Sequence, residues 1–385
     1  MTRNVLGVLA ALVALVTAAL TLISTSSSPE DASVLPDQSF GFPLGSDTFG
    51  IAAGSSLPSL TEPELDQQLS GMAELGATWV RFDLDWSQIG AAGPGQYDWG
   101  VPDRLVAAVT AKGLQPLAIL DYTPEWARAE GCTNGPACAP REAADFATFA
   151  AAATARYSGM GLRTWEIWNE PNLSQFYAPR PDPAGYTALL QAAYASIKAV
   201  DPGAMVITGG TAPAGTAQDG STLTAKEFLA QVYLAGGQGS FDAVAHHPYT
   251  FPYSPATAYS GGAWSDLSAL HTIMSSYGDG KKRIWATEYG APTGGPADMA
   301  QKDVRRPYDG VSHVSEPLQA TIAGNAIRRY QRIAWAGPMF WYSYQDSGSD
   351  ASSIENFFGL VRTDGTRKPA YDAVRDAISP ASEDK

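Results

Sequence analysis

Two stretches of this chain carry an apolar run into a glutamate and then into a turn former. They are Trp165-Glu166-Ile167-Trp168-Asn169-Glu170-Pro171-Asn172 and Ile284-Trp285-Ala286-Thr287-Glu288-Tyr289-Gly290. A buried strand that stops this way delivers a carboxylate to the rim of a pocket. Two carboxyls so delivered can work as a pair, one protonated to release a leaving oxygen and one ionised to meet a developing positive charge. That is the division of labour glycoside hydrolysis requires, so Glu170 and Glu288 are the candidate catalytic residues.

The elements that must hold this pair recur along the chain. Apolar runs occupy residues 49–53, 78–84, 115–120, 164–168, 205–208, 243–247, 283–287 and 338–344. Segments with helical spacing lie between them at 61–75, 102–112, 141–157, 183–200, 224–235 and 317–336, and Thr61 with Glu64 has the form of a capping box. Strand then helix, repeated about every 40 residues, predicts an α/β fold in which parallel strands close into a single (β/α)8 TIM barrel. The barrel is expected over residues 46–380, with no second domain. Chemistry in such a barrel gathers at the C-terminal strand ends, and the two glutamates end the fourth and seventh runs.

The stretch Trp168-Asn169-Glu170-Pro171-Asn172 resembles the acid/base motif of clan A, a large group of retaining glycoside hydrolases built on this barrel. Within the clan it is most similar to families 39 and 5. The resemblance covers roughly residues 49–378 and extends to the tail around Phe358-Gly359-Leu360, which is similar to the end of family 5 and 39 barrels. It implies that Glu170 is the general acid/base, that Glu288 is the nucleophile, and that Asn169 binds the sugar 2-hydroxyl. It also implies that His247 and Tyr249, in His246-His247-Pro248-Tyr249, orient the nucleophile. Trp341, in Phe340-Trp341-Tyr342-Ser343-Tyr344, would floor the subsite of the reacting sugar. The expected activity is hydrolysis of a β-linked oligo- or polysaccharide by double displacement, which needs no cofactor. A transglycosylase would use the same two glutamates with a sugar as acceptor, and a barrel that only binds polysaccharide is the remaining alternative.

Side-chain alternation assigns the neighbours. Arg81 and Asp83 point the same way on the second strand, and Glu166 shares the inward face of Glu170, deeper in the barrel. An isolated buried charge is costly, so Arg81 is expected to pair with Glu166 or with Glu288, and a cation beside Glu288 would keep it ionised. His246 and His247, adjacent on a strand, face opposite sides and do not ligate one metal; His246 is assigned to the core. The chain has 10 Trp and 17 Tyr, whose flat apolar faces suit sugar rings. Trp86 and Trp126 are the foremost rim candidates, with Phe176, Tyr177 and Tyr253 behind them. The long segments 250–264 and 291–316 match nothing and are expected to decide pocket against cleft.

With 385 residues, 45% of them hydrophobic, the chain can bury a core of this size. Its 25 basic against 39 acidic residues give a formal charge of −14, which repels phosphate and makes nucleic acid an unsuitable partner. Carbohydrate is the expected partner, and the protein is expected to be monomeric. Residues 5–23 form an uncharged run after Arg3, about 28 Å long as a helix, so residues 1–23 read as a signal peptide or a membrane anchor. Either reading puts the protein outside the cytoplasm, secreted or tethered by residues 24–45, a linker rich in Ser, Pro and Asp. Export favours a disulfide between Cys132 and Cys138 across a loop containing Asn134-Gly135-Pro136; metal binding is the weaker alternative, since no further Cys or nearby His completes a set.

Overall fold

The computed structural model describes residues 49–256, 262–296, 300–301 and 312–379. Eight parallel strands alternate with helices: β1 (Phe49–Ala52), β2 (Trp79–Asp85), β3 (Gln115–Asp121), β4 (Thr164–Asn169), β5 (Met205–Gly210), β6 (Val244–His246), β7 (Ile284–Tyr289) and β8 (Ala336–Tyr342). Their order in the sheet is β5-β4-β3-β2-β1-β8-β7-β6. Parallel bridges from Ile207 to Ala243 and from Thr211 to His246 bring β5 and β6 together and wrap the sheet into a barrel. Each predicted apolar run overlaps one of these strands, because parallel strands covered on both faces need not alternate with polar residues.

Among the described residues, eight helices of ten residues or more cover the outside: α1 (Glu62–Leu75), α2 (Gly100–Ala111), α3 (Ala143–Tyr157), α4 (Pro183–Val200), α5 (Ala225–Leu234), α6 (Ala263–Ser276), α7 (Glu316–Tyr330) and α8 (Pro369–Ile378). Helix α6 was not among the predicted segments. At the start of α1, the Glu64 carboxylate accepts from the Thr61 N–H at 2.9 Å and hydroxyl at 2.7 Å, as the capping box predicts. Among the described residues no helix is long and apolar enough to cross a membrane. The signal or anchor segment 1–23 and the linker 24–45 lie outside the described residues.

The barrel interior is layered. At its lower end Trp79, Trp285 and Phe340 fill the lumen, with Trp79 edge-on to Trp285 at 5.4 Å and Trp285 stacked on Phe340 at 6.4 Å. Gly50 makes room for them: a Cβ there would stand 2.5 Å from Phe340 and 2.7 Å from Trp79. Above this apolar plug the inward positions turn polar, with Arg81, Glu166 and Thr287 all buried. A dry floor beneath a charged layer strengthens every ion pair in that layer.

Candidate active site

Arg81 is the hub of the polar layer. Its Nε and Nη2 donate to the two Glu166 oxygens at 2.6 and 3.1 Å, Nη1 donates to Glu288 Oε1 at 2.6 Å, and Nη2 also reaches Asn169 Oδ1 at 2.9 Å. Both alternative pairings proposed from the sequence therefore form at once. Burial opposes its charge, but Glu166 and Glu288 outweigh that and raise the guanidinium above its ordinary value. Glu166 also accepts from the Gly210 N–H at 2.8 Å and the Thr287 hydroxyl at 3.2 Å. It anchors the hub and is closed off from solvent.

Two backbone irregularities aim the glutamates. On β7 the register against β8 runs from Ala286 opposite Met339 to Tyr289 opposite Trp341, three steps against two. This bulge lets Thr287 and Glu288 both face the lumen while Tyr289 packs outward. On β4 simple alternation gave the right face for Glu170 by the wrong route. Trp168 and Glu170 both have positive φ, 73° and 44°. Trp168 turns out of the barrel against Tyr177 and Phe146, and its Nε1 donates to the Phe176 carbonyl at 2.8 Å. Asn169 takes the inward place, and Glu170 reaches the mouth with its own N–H on the Gly210 carbonyl at 2.9 Å.

His247 joins the two glutamates. Its Nδ1 lies 2.9 Å from Glu170 Oε1 and 3.6 Å from Glu288 Oε2, and its Nε2 lies 3.1 Å from the Thr287 hydroxyl oxygen. The Thr287 hydroxyl donates to Glu166, so its oxygen accepts the Nε2 proton and Nδ1 is left to face Glu170. Burial works against a charged imidazole, but Glu288 and Glu170 together raise His247 above its usual value. Tyr249 donates to Glu288 Oε2 at 2.8 Å. Burial alone would push Glu288 up; His247, Arg81 and Tyr249 overcome it and hold the carboxylate below its ordinary value. One donor atom each from Glu170, His247 and Glu288 lies within 4.8 Å of the others. Such a trio could ligate a metal, but Arg81 and Tyr249 already occupy the two Glu288 oxygens.

Arg81, Asn169, His247 and Tyr249 thus converge on Glu170 and Glu288. His246 takes its expected place in the core, with Nδ1 2.9 Å from the Thr211 hydroxyl; burial lowers it to about 4 and keeps it neutral. Cys132 and Cys138 are joined as a disulfide.

The aromatic assignments need correction. Trp341 is fully buried on the outer face of β8, edge-on to Tyr289, with Nε1 donating to the Phe358 carbonyl at 3.2 Å. The residue that faces the pocket is its neighbour Tyr342, in register with the inward Ala52. Burial, then Glu288 and Glu355, raise the Tyr342 phenol, and its hydroxyl lies 3.4 Å from Glu355. Counting parity upward from Gly50 and Phe340 would have found it. Trp86 is likewise fully buried, stacked on Phe149 at 5.7 Å and edge-on to Phe146, and offers no face to a sugar. Trp126 is half-buried against Trp86 and donates to the Gly90 carbonyl at 2.8 Å; Tyr177 is core. Parts of the segments 250–264 and 291–316 lie outside the described residues. Two cavities open beside the site, about 730 Å³ along Tyr342 and Glu355 and about 630 Å³ along Asp83 and Tyr122, and share Ser55 and Ser59.

No family model matches the chain. No curated protein matches it in sequence. Solved structures do: the chain is structurally similar to clan A glycoside hydrolases of families 39, 5 and 10. A family 39 glycoside hydrolase from Bacteroides cellulosilyticus WH2 aligns with TM-score 0.65 and 24% identity over 87% of this chain and 64% of that one. A monomeric β-xylosidase from Caulobacter crescentus CB15 gives 0.62 and 23% over 85% and 67%. A family 5 enzyme from Streptomyces cattleya gives 0.65 and 16% over 88% and 81%. This chain therefore spans just under two thirds of the Bacteroides protein. At these identities the likeness establishes the barrel fold.

Proposed function

We propose that the protein is a retaining glycoside hydrolase acting on a β-linked oligo- or polysaccharide. The observation that carries this reading is the approach of Glu170 and Glu288, whose nearest oxygens lie within 4.8 Å across the barrel mouth. Retaining enzymes hold their carboxyls about 5–5.5 Å apart because the nucleophile touches the anomeric carbon, whereas inverting ones leave about 6.5–9.5 Å for a water. The electrostatics agree with the roles. Glu288, held ionised by Arg81, His247 and Tyr249, attacks the anomeric carbon and forms a glycosyl ester while the leaving oxygen departs. Glu170 supplies the proton to that oxygen, then takes one from the water that cleaves the ester. His247 Nδ1 beside Glu170 Oε1 gives the acid proton a second resting place before it is delivered to the leaving oxygen. The fold neighbours named as a family 39 hydrolase and a β-xylosidase support the same class of reaction. Export through residues 1–23, cleaved or retained as an anchor, belongs to this reading and rests on the sequence.

Proton NMR of the first product released from an aryl β-glycoside tests it. A β-anomer is expected first, and Glu288→Gln should abolish turnover with the melting temperature unchanged within a few degrees. An α-anomer as first product, or near-normal turnover by purified Glu288→Gln, would falsify the mechanism.

A further inference from the structure

One wall of the site takes no part in the steps above. Asp83 stands two residues beyond Arg81 on the same inward face of β2 and is partly exposed. The guanidinium beside it is committed to Glu166, Glu288 and Asn169, and donates nothing to it. Two residues further along β2, Asp85 is in register with Asp121 of β3. Asp121 is 0% exposed, and neither of its carboxyl oxygens has a hydrogen-bond partner. A buried carboxyl without partners is rare enough to require an explanation. The cavity of about 630 Å³ that opens onto Asp83 and Asp85 also has Asp98 in its lining, and no Lys or Arg among its described residues. Every cation of the site is already matched, Arg81 by Glu166 and Glu288 and His247 by Glu170. Among the described residues that line this wall none is cationic, and Arg81, the nearest guanidinium, is engaged by other carboxylates.

We propose that this wall is a subsite for a sugar that carries an ammonium group, an unacetylated amino sugar, bound beside the catalytic pair. The inference rests on the glycosidase reading for its setting and adds the class of substrate. Sugar hydroxyls would meet Ser55, Ser59 and Gln88, which line the same cavity, and the ammonium would meet Asp83 and Asp85. A uronate would be repelled, and an N-acetylated sugar would bring no charge.

The groups around Asp83 fix how the wall behaves when empty. Arg81 and Asp85 stand on its own strand, Asp121 and Tyr122 on or just after β3, Glu166 on β4, Glu288 on β7 and Tyr342 on β8. Burial first, then Glu288, Asp85 and Glu166, push Asp83 up to about 7 in spite of Arg81. Burial, with Asp83 and Asp85, pushes Asp121 well above the carboxylate range. The empty wall therefore holds protons near neutral pH. An arriving ammonium favours the ionised form, so it should expel a proton, whereas a neutral sugar should not.

Calorimetric titration of the full-length protein tests this, at about pH 6.5 where an amino sugar is cationic and Asp83 is largely protonated, in two buffers of different ionisation enthalpy. The probes are glucosamine, glucose, N-acetylglucosamine and glucuronate. Glucosamine should bind about tenfold more tightly than glucose, the gap expected from one pKa unit of interaction, and its heat should depend on the buffer. Asp83→Asn should erase both the preference and the buffer dependence. If that variant fails to fold, Asp85→Asn and the buffer dependence of the unmodified protein carry the same test. Equal binding of glucosamine and glucose, no measurable binding of either, or heats independent of buffer would overturn the proposal. Proton-linked glucosamine binding by a protein that hydrolyses no glycoside would sustain the subsite and remove the hydrolase reading. Hydrolysis of neutral glycosides without an ammonium preference would do the reverse.

Discussion

Replacing Arg81 by methionine removes the cation that Glu166 and Glu288 share, and the geometry sets the scale of the loss. Arg81 is 1% exposed and makes four hydrogen bonds, two to Glu166, one to Glu288 and one to Asn169. Breaking a buried ion pair from one side costs about 3–5 kcal/mol, because the surviving charge is left desolvated. Glu166 keeps the Gly210 N–H and the Thr287 hydroxyl, which places the cost toward the lower end. The shift per kcal/mol falls with domain size, to about 1.4 °C for a barrel of this length, so the melting temperature should fall by roughly 4–7 °C. A second effect falls on Glu288. Its folded pKa is depressed, so at present it contributes stability above the unfolded carboxylate value, and that contribution is lost as pH falls through the folded pKa. Without Arg81 the folded pKa should rise, moving the acid limb of kcat/KM upward with it. Glu166→Gln is the opposing control: Arg81 would then serve Glu288 alone, and the acid limb should move down. Calorimetry and pH–rate profiles on an activated aryl glycoside measure both effects. An Arg81→Met protein melting within about 2 °C of the parent, with its acid limb unmoved, would refute the shared-cation account.

The other predictions concern single groups. Glu170→Ala should slow substrates with poor leaving groups by roughly 10²–10⁴-fold and activated aryl glycosides less, with azide restoring turnover; equal losses on both and no azide effect would assign the acid elsewhere. Cys132→Ser opens a small loop, so it should cost at most about 2–3 kcal/mol in denaturant titration, and mass spectrometry of the unreduced protein should find the pair linked.

The architecture was legible because it depends on averages. A strand covered on both faces needs several apolar residues in a row, and no single misread position hides it. The charged centre was legible for a different reason. A buried Arg must find carboxylates, and among inward positions at the strand ends Glu166 and Glu288 are within reach of Arg81. The aromatics were not legible because each assignment depends on one step of parity or on a distant helix. Trp341 and Tyr342 differ by one residue, and the register with β1 decides which of them sees the pocket. Trp86 is sealed by Phe146 and Phe149 from α3, some 60 residues later in the chain, and nothing local to Trp86 announces them. Asp121 was missed because a carboxyl without a partner leaves no motif.

Positive φ at Glu170 makes the acid/base position a test of how its aim is maintained. Side chains with a Cβ pay about 1–2 kcal/mol in the left-handed region, whereas glycine enters it freely. The φ of 44° at Glu170 is fixed from both sides, by its N–H on the Gly210 carbonyl and by its carbonyl accepting from the Leu173 N–H at 3.0 Å. Neither bond involves the side chain, so the backbone should keep this conformation when the carboxylate is removed. Glu170→Gly and Glu170→Ala lose the same contact to His247 and the same activity, and differ only in what the backbone pays. In an ordinary extended or helical position glycine would be the less stable by about 0.5–1 kcal/mol. Here the order should invert, with Glu170→Gly more stable than Glu170→Ala by about 1 kcal/mol in denaturant titration. A glycine variant less stable than the alanine variant would mean that the left-handed turn is held by the carboxylate and His247, and that the bond to Gly210 follows from the aim of the side chain instead of causing it.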